Sequence, residues 1–330
     1  MSNKTDIDYL LLYRGKSLVI PSQFNGNDIV INVPTLEQIC EYGESKYYGM
    51  VHTLCSVGID LCWQLDEIGI DFEEISDFQL FYSILIKNLT VEKTSILFGN
   101  QLDLSKMVLY LNKDNNAPML VQNILQSIPM IVENTNYTQS INIPDGAEIK
   151  VIEQSEKFSR VEYNGQIGYI ASIYILKKEN EKYYISGEND KELIGNGIYE
   201  HFVIDENVYY QIVEYLRAMH SFKRDDRIAG TRSCKLAFIE DAKMEYEAMK
   251  LEPKKSILLP MISTMVNSDG FKRNDKTIWD MNIFAFMDSV YRVSKIKNAD
   301  LLLQSGYSGF GIDLKKIDKN EINYMGELNM

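Results

Sequence analysis

The sequence predicts an α+β protein, in which a mainly α-helical host domain with a short β-hairpin element is interrupted by a small β-barrel. Apolar residues recur at helical spacing after Pro34 and again from about residue 206 onward. Residues from about 119 to 205 follow strand patterns instead. A chain of 330 residues is also long for one compact unit, which favours two domains or one domain with an insertion.

The first elements are predicted to be short strands, up to about Val33, followed by a capped helix. The segments "SLVIPSQF" and "DIVINV" are rich in β-branched residues and enclose the turn sequence "NGND", so they predict a hairpin. After Pro34, Thr35 and Gln38 form a T-x-x-Q capping box that marks a helix start. Helix is expected to continue with breaks near Gly58 and Gly69.

A second strongly apolar helix, "SDFQLFYSILIKNL", is predicted to begin at Ser76 or Asp77. A strand at Met107–Leu111 then ends the helical region. In the C-terminal part, "IDENVYYQIVEYLRAMHSF" predicts a helix with Val208, Ile212 and Met219 on one face. Three further helices are predicted in "SCKLAFIEDAKMEYEAMKL", "SILLPMISTMVNS" and "TIWDMNIFAFMDSVYRVSKIKN", the last of them central because it is apolar on several faces.

The four cysteines lack metal-type spacing, because none forms C-x-x-C and the three histidines are scattered. Cys55 and Cys62 are seven residues apart, which is two helical turns and predicts one shared apolar face. Together with Cys40 and Cys234, they are interpreted as buried free thiols rather than a disulfide or zinc site.

The clearest β-structure lies in "GAEIKVIEQSEKFSRVEYNGQIGYIASIYILKK", which divides into the strands "EIKVIEQ", "FSRVEY", "QIGYIA" and "IYILKK". Asn164-Gly165 is a two-residue hairpin turn, since both residues tolerate positive φ. Val161 and Tyr163 alternate with Arg160 and Glu162, as expected of a half-buried sheet. The sequence therefore predicts three parts: host residues 1–118, a β-rich insertion at 119–202, and host residues 203–330.

The segment 130–177 resembles the bacterial SH3-like domain family. Phe158, Val161, Asn164-Gly165, "GYI" at 168–170 and "YI" at 174–175 occupy the places of the family's aromatic, strand, hairpin and G-Y-[VI]-x-x-x-Y-[LI] residues. The resemblance implies a small barrel that binds cell-wall peptides or acts as a spacer. Its candidate peptide-contacting residues are Tyr137, Phe158, Tyr163, Tyr169 and Tyr174; the alternative is that Tyr163, Tyr169 and Tyr174 fill or cover the barrel core.

The flanking helical parts, about 10–112 and 203–328, resemble a set of uncharacterised proteins of Gram-positive tailed phages and prophages. The resemblance rests on stretches such as "PTLEQICEYGESKYYGMV", "LLPMISTMVNSDGFK" and "TIWDMNIFAFMDSVYRVSKIKNADLLLQSGYSG". It implies a role in building or furnishing the virion, as a tail-assembly chaperone or a virion component, with other phage structural or assembly proteins as partners.

The charge pattern disfavours nonspecific nucleic-acid binding. The net charge is −13, and the first 205 residues hold 29 of the 47 acidic side chains but only 15 of the 34 basic ones. "RAMHSFKRDDRIAGTRSCK" is the basic exception. Its Arg217, Lys223, Arg224 and Arg227 are candidates for contacting an acidic partner, including the chain's own acidic N-terminal half, and the alternative is a solvated loop.

No catalytic, cofactor-binding or metal-binding motif is found. The acidic run "DEIGIDFEEISD" lacks the EF-hand order, "SGYSGFG" lacks the P-loop pattern, and neither G-x-S-x-G nor H-E-x-x-H occurs. We therefore expect a non-enzymatic phage or prophage virion-associated or assembly protein that acts by protein–protein contacts. The alternatives are a wall- or peptide-binding accessory protein and, third, an unrecognised enzyme.

The N-terminal segment lacks the features of a secretory signal, and no apolar run is long enough to span a bilayer. The expected location is the host cytoplasm during assembly, or the virion itself, with no membrane partner. The oligomeric state is left open.

Overall fold

The structure is a computed structural model that describes residues 7–22, 26–112, 116–133, 139–177, 182–186, 198–251, 255–308 and 313–328. It contains both helices and sheets, which confirms the α+β class. By contacts the chain divides into two compact units. Unit 1 comprises Met1–Ile20, Ile29–Lys106 and Ile204–Met330, and unit 2 comprises Pro21–Asp28 and Met107–Val203. The sequence predicted a host domain interrupted by an insertion, with boundaries at 118 and 202. Those domain boundaries remain a prediction.

The N-terminal hairpin pairs as predicted, although the turn residue Asn25 lies outside the described residues. Strands β1 (Leu18–Ile20) and β2 (Ile29–Ile31) are antiparallel, with Leu18 opposite Ile31. Ile20, Ile29 and Ile31 are buried, so the hairpin contributes its alternate side chains to the unit 1 core.

The first element is a short helix, α1 (Tyr9–Tyr13), where the sequence predicted a strand. Asp8 caps it, because its carboxylate accepts the backbone N–H groups of Leu10 at 2.9 Å and Leu11 at 3.0 Å. The remaining helices before residue 107 are α2 (Leu36–Tyr42), α3 (Glu44–Cys55), α4 (Cys62–Glu67), α5 (Asp77–Leu80) and α6 (Val91–Phe98).

Both predicted helix starts in this region are confirmed. Thr35 Oγ1 accepts the Gln38 N–H at 3.2 Å, and the Gln38 side chain accepts the Thr35 N–H at 2.9 Å, which completes the capping box. Ser76 Oγ accepts the Gln79 N–H at 3.1 Å and caps α5, which continues as a π-helical turn over Phe81–Leu85.

The predicted arrangement of the cysteines was wrong in two respects. Helix α3 ends at Cys55 and Ser56 is extended, so Cys55 and Cys62 lie on separate helices rather than on one face. Both are buried free thiols, but Cys40 is exposed and Cys234 is half-buried. The predicted break near Gly58 is present, and the seven-residue spacing of the two cysteines does not define a shared face across it.

Four helices follow residue 205: α7 (Glu206–His220), α8 (Arg232–Leu251), α9 (Leu258–Val266) and α10 (Ile283–Tyr307). The predicted face of α7 is confirmed, since Val208, Ile212 and Met219 are all buried. Helix α10 begins later than predicted, at its cap Asn282. Its buried residues are concentrated in the first turns, so only that end is central.

The two distant stretches of unit 1 share one core. The Tyr209 ring on α7 lies 5.4 Å from that of Phe78 and 4.9 Å from that of Phe81, centroid to centroid. The Tyr215 hydroxyl, also on α7, donates to the Lys16 carbonyl at 3.2 Å. Residues before 107 and after 203 are therefore packed together.

The larger sheet contains the β-rich middle of the chain. Its strand order is β11-β4-β8-β7-β6-β10-β9, with β3 and β5 also paired to β4, and within the described residues it does not close into a barrel. The strands are β3 (Val108–Leu111), β4 (Pro118–Val132), β5 (Ser140–Pro144), β6 (Glu148–Glu153), β7 (Phe158–Tyr163), β8 (Gln166–Ala171), β9 (Ile175–Lys177), β10 (Tyr183–Ile185) and β11 (Ile198–Asp205).

The β7–β8 hairpin forms at the predicted turn. Asn164 has φ +50° and Gly165 has φ +78°, and Tyr163 pairs directly with Gln166. Gly168 is required by packing, because a Cβ there would overlap the Ile131 carbonyl oxygen of β4. The core of unit 2 consists of Ile128, Met130, Ile143, Ile149, Val161, Ile170, Tyr174 and Ile185.

Candidate functional site

The predicted peptide-contacting aromatic residues do not share one surface. Tyr174 is 1% exposed and belongs to the core, so it is not available to a ligand on the surface. Tyr163 packs against the same core. Phe158 is 48% exposed and lies on the opposite face of the sheet, which it shares with Tyr169 through the pairing register. Tyr137 lies outside the described residues.

The outer face around Tyr169 is partly ionic. Tyr169 lies opposite Arg160 on β7 and opposite Ile131 on β4. The guanidinium of Arg160 forms an ion pair with Glu133 at 2.7 Å. Of the four predicted peptide-contacting residues that the structure describes, Phe158 and Tyr169 lie on this outer face. Tyr163 and Tyr174 pack in or against the core, which is the alternative stated for them.

The predicted basic cluster makes contacts within unit 1. Arg224 donates three hydrogen bonds to the buried carboxylate of Asp77, at 3.0, 3.2 and 3.3 Å, and also pairs with Asp226. The Arg217 guanidinium donates to the Cys55 carbonyl at 2.7 Å. These two arginines therefore join the C-terminal stretch to the earlier part of the same unit.

The other members of the cluster are more exposed. Arg227 pairs with its neighbour Asp225 at 2.6 Å, and no described residue forms an ion pair with Lys223. Further along, Lys235 pairs with Glu73 at 3.2 Å and also with Asp71. Carboxylates of the acidic run "DEIGIDFEEISD" thus form ion pairs with basic side chains of the same chain.

A histidine–tyrosine pair is buried beside this cluster. His220 Nδ1 lies 2.7 Å from the Leu216 carbonyl, which can only accept, so Nδ1 carries the proton. Nε2 then accepts from the Tyr47 hydroxyl at 2.7 Å. Burial lowers the pKa of His220 to about 4, so the imidazole is neutral at pH 7. The pair joins α3 to α7 and has no open face for a substrate.

A cavity of about 520 Å³ lies at the start of α10. Its wall contains Arg14, Lys272, Arg273 and Arg292, together with Asp280 and Asp288. Arg292 is already bound to the carbonyls of Tyr324 and Gly326, at 2.6 and 2.9 Å. Arg14, Lys272 and Arg273 are exposed side chains. The residues that line the cavity therefore do not indicate a particular ligand.

The most unusual element of unit 1 is α8, a helix of 20 residues with no buried residue. Its inner face contacts α4: the Cys62 thiol lies 3.5 Å from the Phe238 carbonyl, and the rings of Trp63 and Tyr246 are 5.1 Å apart. The ammonium of Lys243 lies 3.6 Å from the carboxylate of Glu67. One side of the helix is therefore attached to the unit.

The opposite side of α8 carries a second apolar stripe. Ala237, Met244 and Leu251 recur every seven residues, with Ala248 between the last two, and all four are exposed. Met244 is 61% exposed and Leu251 is 87% exposed. We call these four residues the α8 outer stripe.

Acidic residues border the α8 outer stripe on both sides. At 3.6 residues per turn, Glu240 and Glu247 lie along one edge, and Asp241 and Glu245 lie along the other. All four are exposed, and none forms an ion pair with another described residue. The arrangement can bind an apolar surface that carries positive charge.

The α8 outer stripe was missed in the sequence, although a signal was present. A helix with one buried face needs one apolar stripe, whereas "SCKLAFIEDAKMEYEAMKL" contains two on opposite sides. Which stripe remains exposed is decided by the position of α4 in the fold.

Two kinds of site are absent from the described part of the chain. It contains no group of three or more His, Cys, Asp and Glu side chains placed to hold a metal ion. None of its helices combines the length and the apolar character needed to cross a membrane.

Comparison of the chain with protein-family models, with curated proteins and with solved structures gave no match.

Proposed function

We propose that the protein is a non-enzymatic assembly factor or virion component of a tailed phage or prophage that acts through protein–protein contacts. The observation that carries the proposal is α8, whose outer stripe presents apolar side chains to solvent along the length of the helix. Contiguous exposed apolar surface of this kind is typical of an interaction site. The phage context is supported by the resemblance of about 10–112 and 203–328 described above.

The inserted segment 130–177 supplies a second contact surface in this proposal, as an SH3-like barrel. Its support is the antiparallel run of β6, β7 and β8, the Asn164-Gly165 hairpin and the compact apolar core around Val161. The protein would work in the host cytoplasm during assembly and meet other phage structural or assembly proteins there.

Affinity purification of the tagged full chain from phage-producing cells tests the proposal. We expect identified tail or capsid proteins to co-purify, and we expect Met244→Gln to reduce their recovery. Leu301→Gln is the matched control, because Leu301 is 66% exposed on α10 and lies outside the α8 outer stripe. Recovery of the chain without any virion protein would contradict the proposal.

A wall- or peptide-binding accessory role is the second candidate, and the exposure of Phe158 next to the Tyr169 face favours it. Exposed aromatic side chains are common anchors for peptides. Sedimentation of the full chain with peptidoglycan tests this role, with Phe158→Ala as the variant. The role predicts binding that Phe158→Ala weakens, and the absence of any co-sedimentation would exclude it.

A further inference from the structure

We infer that the α8 outer stripe binds a basic amphipathic helix of a partner protein. The inference rests on the proposed function and specifies the chemistry of the partner. Its first premise is that the stripe is not needed for folding, because α8 is attached to unit 1 through the other side, at Phe238 and Tyr246.

The second premise is the separation of charge around α8. The lysines of the helix are engaged on the inner side or at its margin: Lys235 pairs with Glu73, Lys243 pairs with Glu67, and Lys250 lies over the Tyr246 ring at 4.2 Å. Among the described residues, the carboxylates that border the outer stripe form no ion pair, although Glu245 is near enough to Arg227 to interact with it electrostatically. The exposed side of α8 is therefore apolar along its centre and acidic along both edges.

The spacing of the stripe defines how a partner helix would lie. Ala237, Met244 and Leu251 are seven residues apart, which is the repeat of a coiled-coil seam. In that register Glu240 and Glu247 occupy the same flanking position in successive heptads, and Glu245 occupies the flanking position on the other side. These flanking positions contact the edges of the partner helix. Asp241 falls at the second seam position, which Ala248 takes in the next heptad, so the seam itself holds one carboxylate for a partner cation.

A second copy of this chain does not fit the charges. Parallel self-pairing would place Glu240 of one copy opposite Glu245 of the other, and antiparallel pairing would place like flanks together. Either arrangement brings carboxylates against carboxylates in a chain whose net charge is already −13. A helix with Leu or Ile on its seam and Lys or Arg on its edges satisfies both the stripe and its borders.

The test uses the full chain and two synthetic peptides of about three heptads. The Lys peptide has Leu on its seam and Lys at the flanking positions, and the Glu peptide differs only in having Glu at those positions. Fluorescence anisotropy at about 50 mM salt should show saturable binding of the Lys peptide and at least about tenfold weaker binding of the Glu peptide. Raising the salt to about 500 mM should weaken the Lys complex.

Variants of the full chain test whether the Lys peptide binds at the α8 outer stripe. Met244→Gln keeps helix propensity and charge, and it should weaken Lys-peptide binding about fivefold or more. The double variant Glu240→Gln/Glu247→Gln should weaken the Lys peptide but not the Glu peptide. Leu301→Gln should change neither. Circular dichroism of each variant establishes that α8 remains helical.

Three results would overturn the inference. They are equal affinity for the two peptides, Lys-peptide binding that is unchanged in Met244→Gln, and a homodimer in sedimentation analysis that Met244→Gln dissociates. If the Lys peptide fails but virion proteins still depend on Met244 for co-purification, only the partner chemistry is wrong. If the peptide binds as expected but no virion protein co-purifies, the inference stands and the phage role fails.

Discussion

His220 shows how a polar pair can act as part of a core. Its ring is held between the Leu216 carbonyl and the Tyr47 hydroxyl. Nδ1–H can donate to the Leu216 carbonyl in either charge state, whereas accepting from the Tyr47 hydroxyl requires the neutral imidazole. Protonation at Nε2 would replace an acceptor by a second donor facing a hydroxyl that already donates there. The bond that Tyr47 donates from α3 to His220 on α7 therefore forms only while His220 is uncharged.

We predict that this pair makes unit 1 sensitive to mild acid. The pKa of His220 is about 4 in the folded chain, below the ordinary value of about 6.5, so its contribution is complete above about pH 6.5 and is lost as pH falls toward 4. The loss amounts to about 2–3 kcal/mol. Thermal unfolding of the wild type between pH 7 and pH 4 should show a steeper fall in Tm than that of His220→Gln. Parallel curves for the two proteins would refute the assignment.

Two buried tyrosines are predicted to respond oppositely to removal of the hydroxyl. Tyr47→Phe deletes the donor to His220 and should lower the free energy of unfolding by about 1–3 kcal/mol. The Tyr209 hydroxyl is buried with no hydrogen-bond partner among the described residues, so Tyr209→Phe should be neutral or stabilising by about 1 kcal/mol. Urea denaturation of both variants tests the contrast, and equal destabilisation would show that Tyr209 has a partner.

At the scale of elements, an ion pair between Arg224 and Asp77 joins the segment after α7 to α5. Asp77 sits in the first turn of α5 with its carboxylate buried, and Arg224 reaches it from the chain segment that follows α7. Arg227 is similar in chemistry, but its carboxylate partner is Asp225, two residues earlier, and its exposed guanidinium lies over the Phe238 ring of α8 at 5.3 Å. The two arginines therefore form a matched pair of test positions.

Arg224→Ala should destabilise the protein by about 1–2 kcal/mol, because it leaves a buried carboxylate without its cation, moderated by the partial exposure of Arg224 itself. Arg227→Ala removes only an exposed ion pair and an exposed cation–π contact, so it should change stability by less than about 1 kcal/mol. Chemical denaturation measures both. If the Arg227 variant were the less stable one, the role given to Asp77 would be wrong.

Elements whose signals are local could be predicted from the sequence. The Thr35–Gln38 capping box and the Asn164-Gly165 turn depend on two or three neighbouring residues, and both formed as predicted. The α8 helix itself was also predicted from its pattern.

The misses have a common physical cause, which is dependence on distant residues. Cys55 and Cys62 lie on either side of the predicted break near Gly58, and the packing of the two helices decides which way the thiols face. Packing also decides between the two alternatives stated for Tyr174, a ligand contact and a core residue. The exposed stripe of α8 belongs to the same class, since only the packing of α4 against Phe238 and Tyr246 shows that the other stripe is left in solvent. The candidate site was therefore less predictable than the fold that presents it.

On the scale of the whole molecule, the chain is organised around one helical core built from two distant stretches. All ten α-helices of the described residues lie in unit 1, on either side of the segment 107–203. Long insertions between packed elements carry only a slowly growing entropic cost. The fold of unit 1 is thus compatible with an independent β-rich insertion, which would extend the interaction surface without altering the helical core.

The most direct test replaces residues 107–203 by a flexible Gly/Ser linker of about ten residues and follows unfolding in urea by far-ultraviolet circular dichroism. We predict a cooperative transition and a molar helical signal close to that of the full chain, because the deletion removes no described α-helix. A linker variant that unfolds without cooperativity, or that loses most of its helical signal, would contradict the claim that the two outer stretches form a core by themselves.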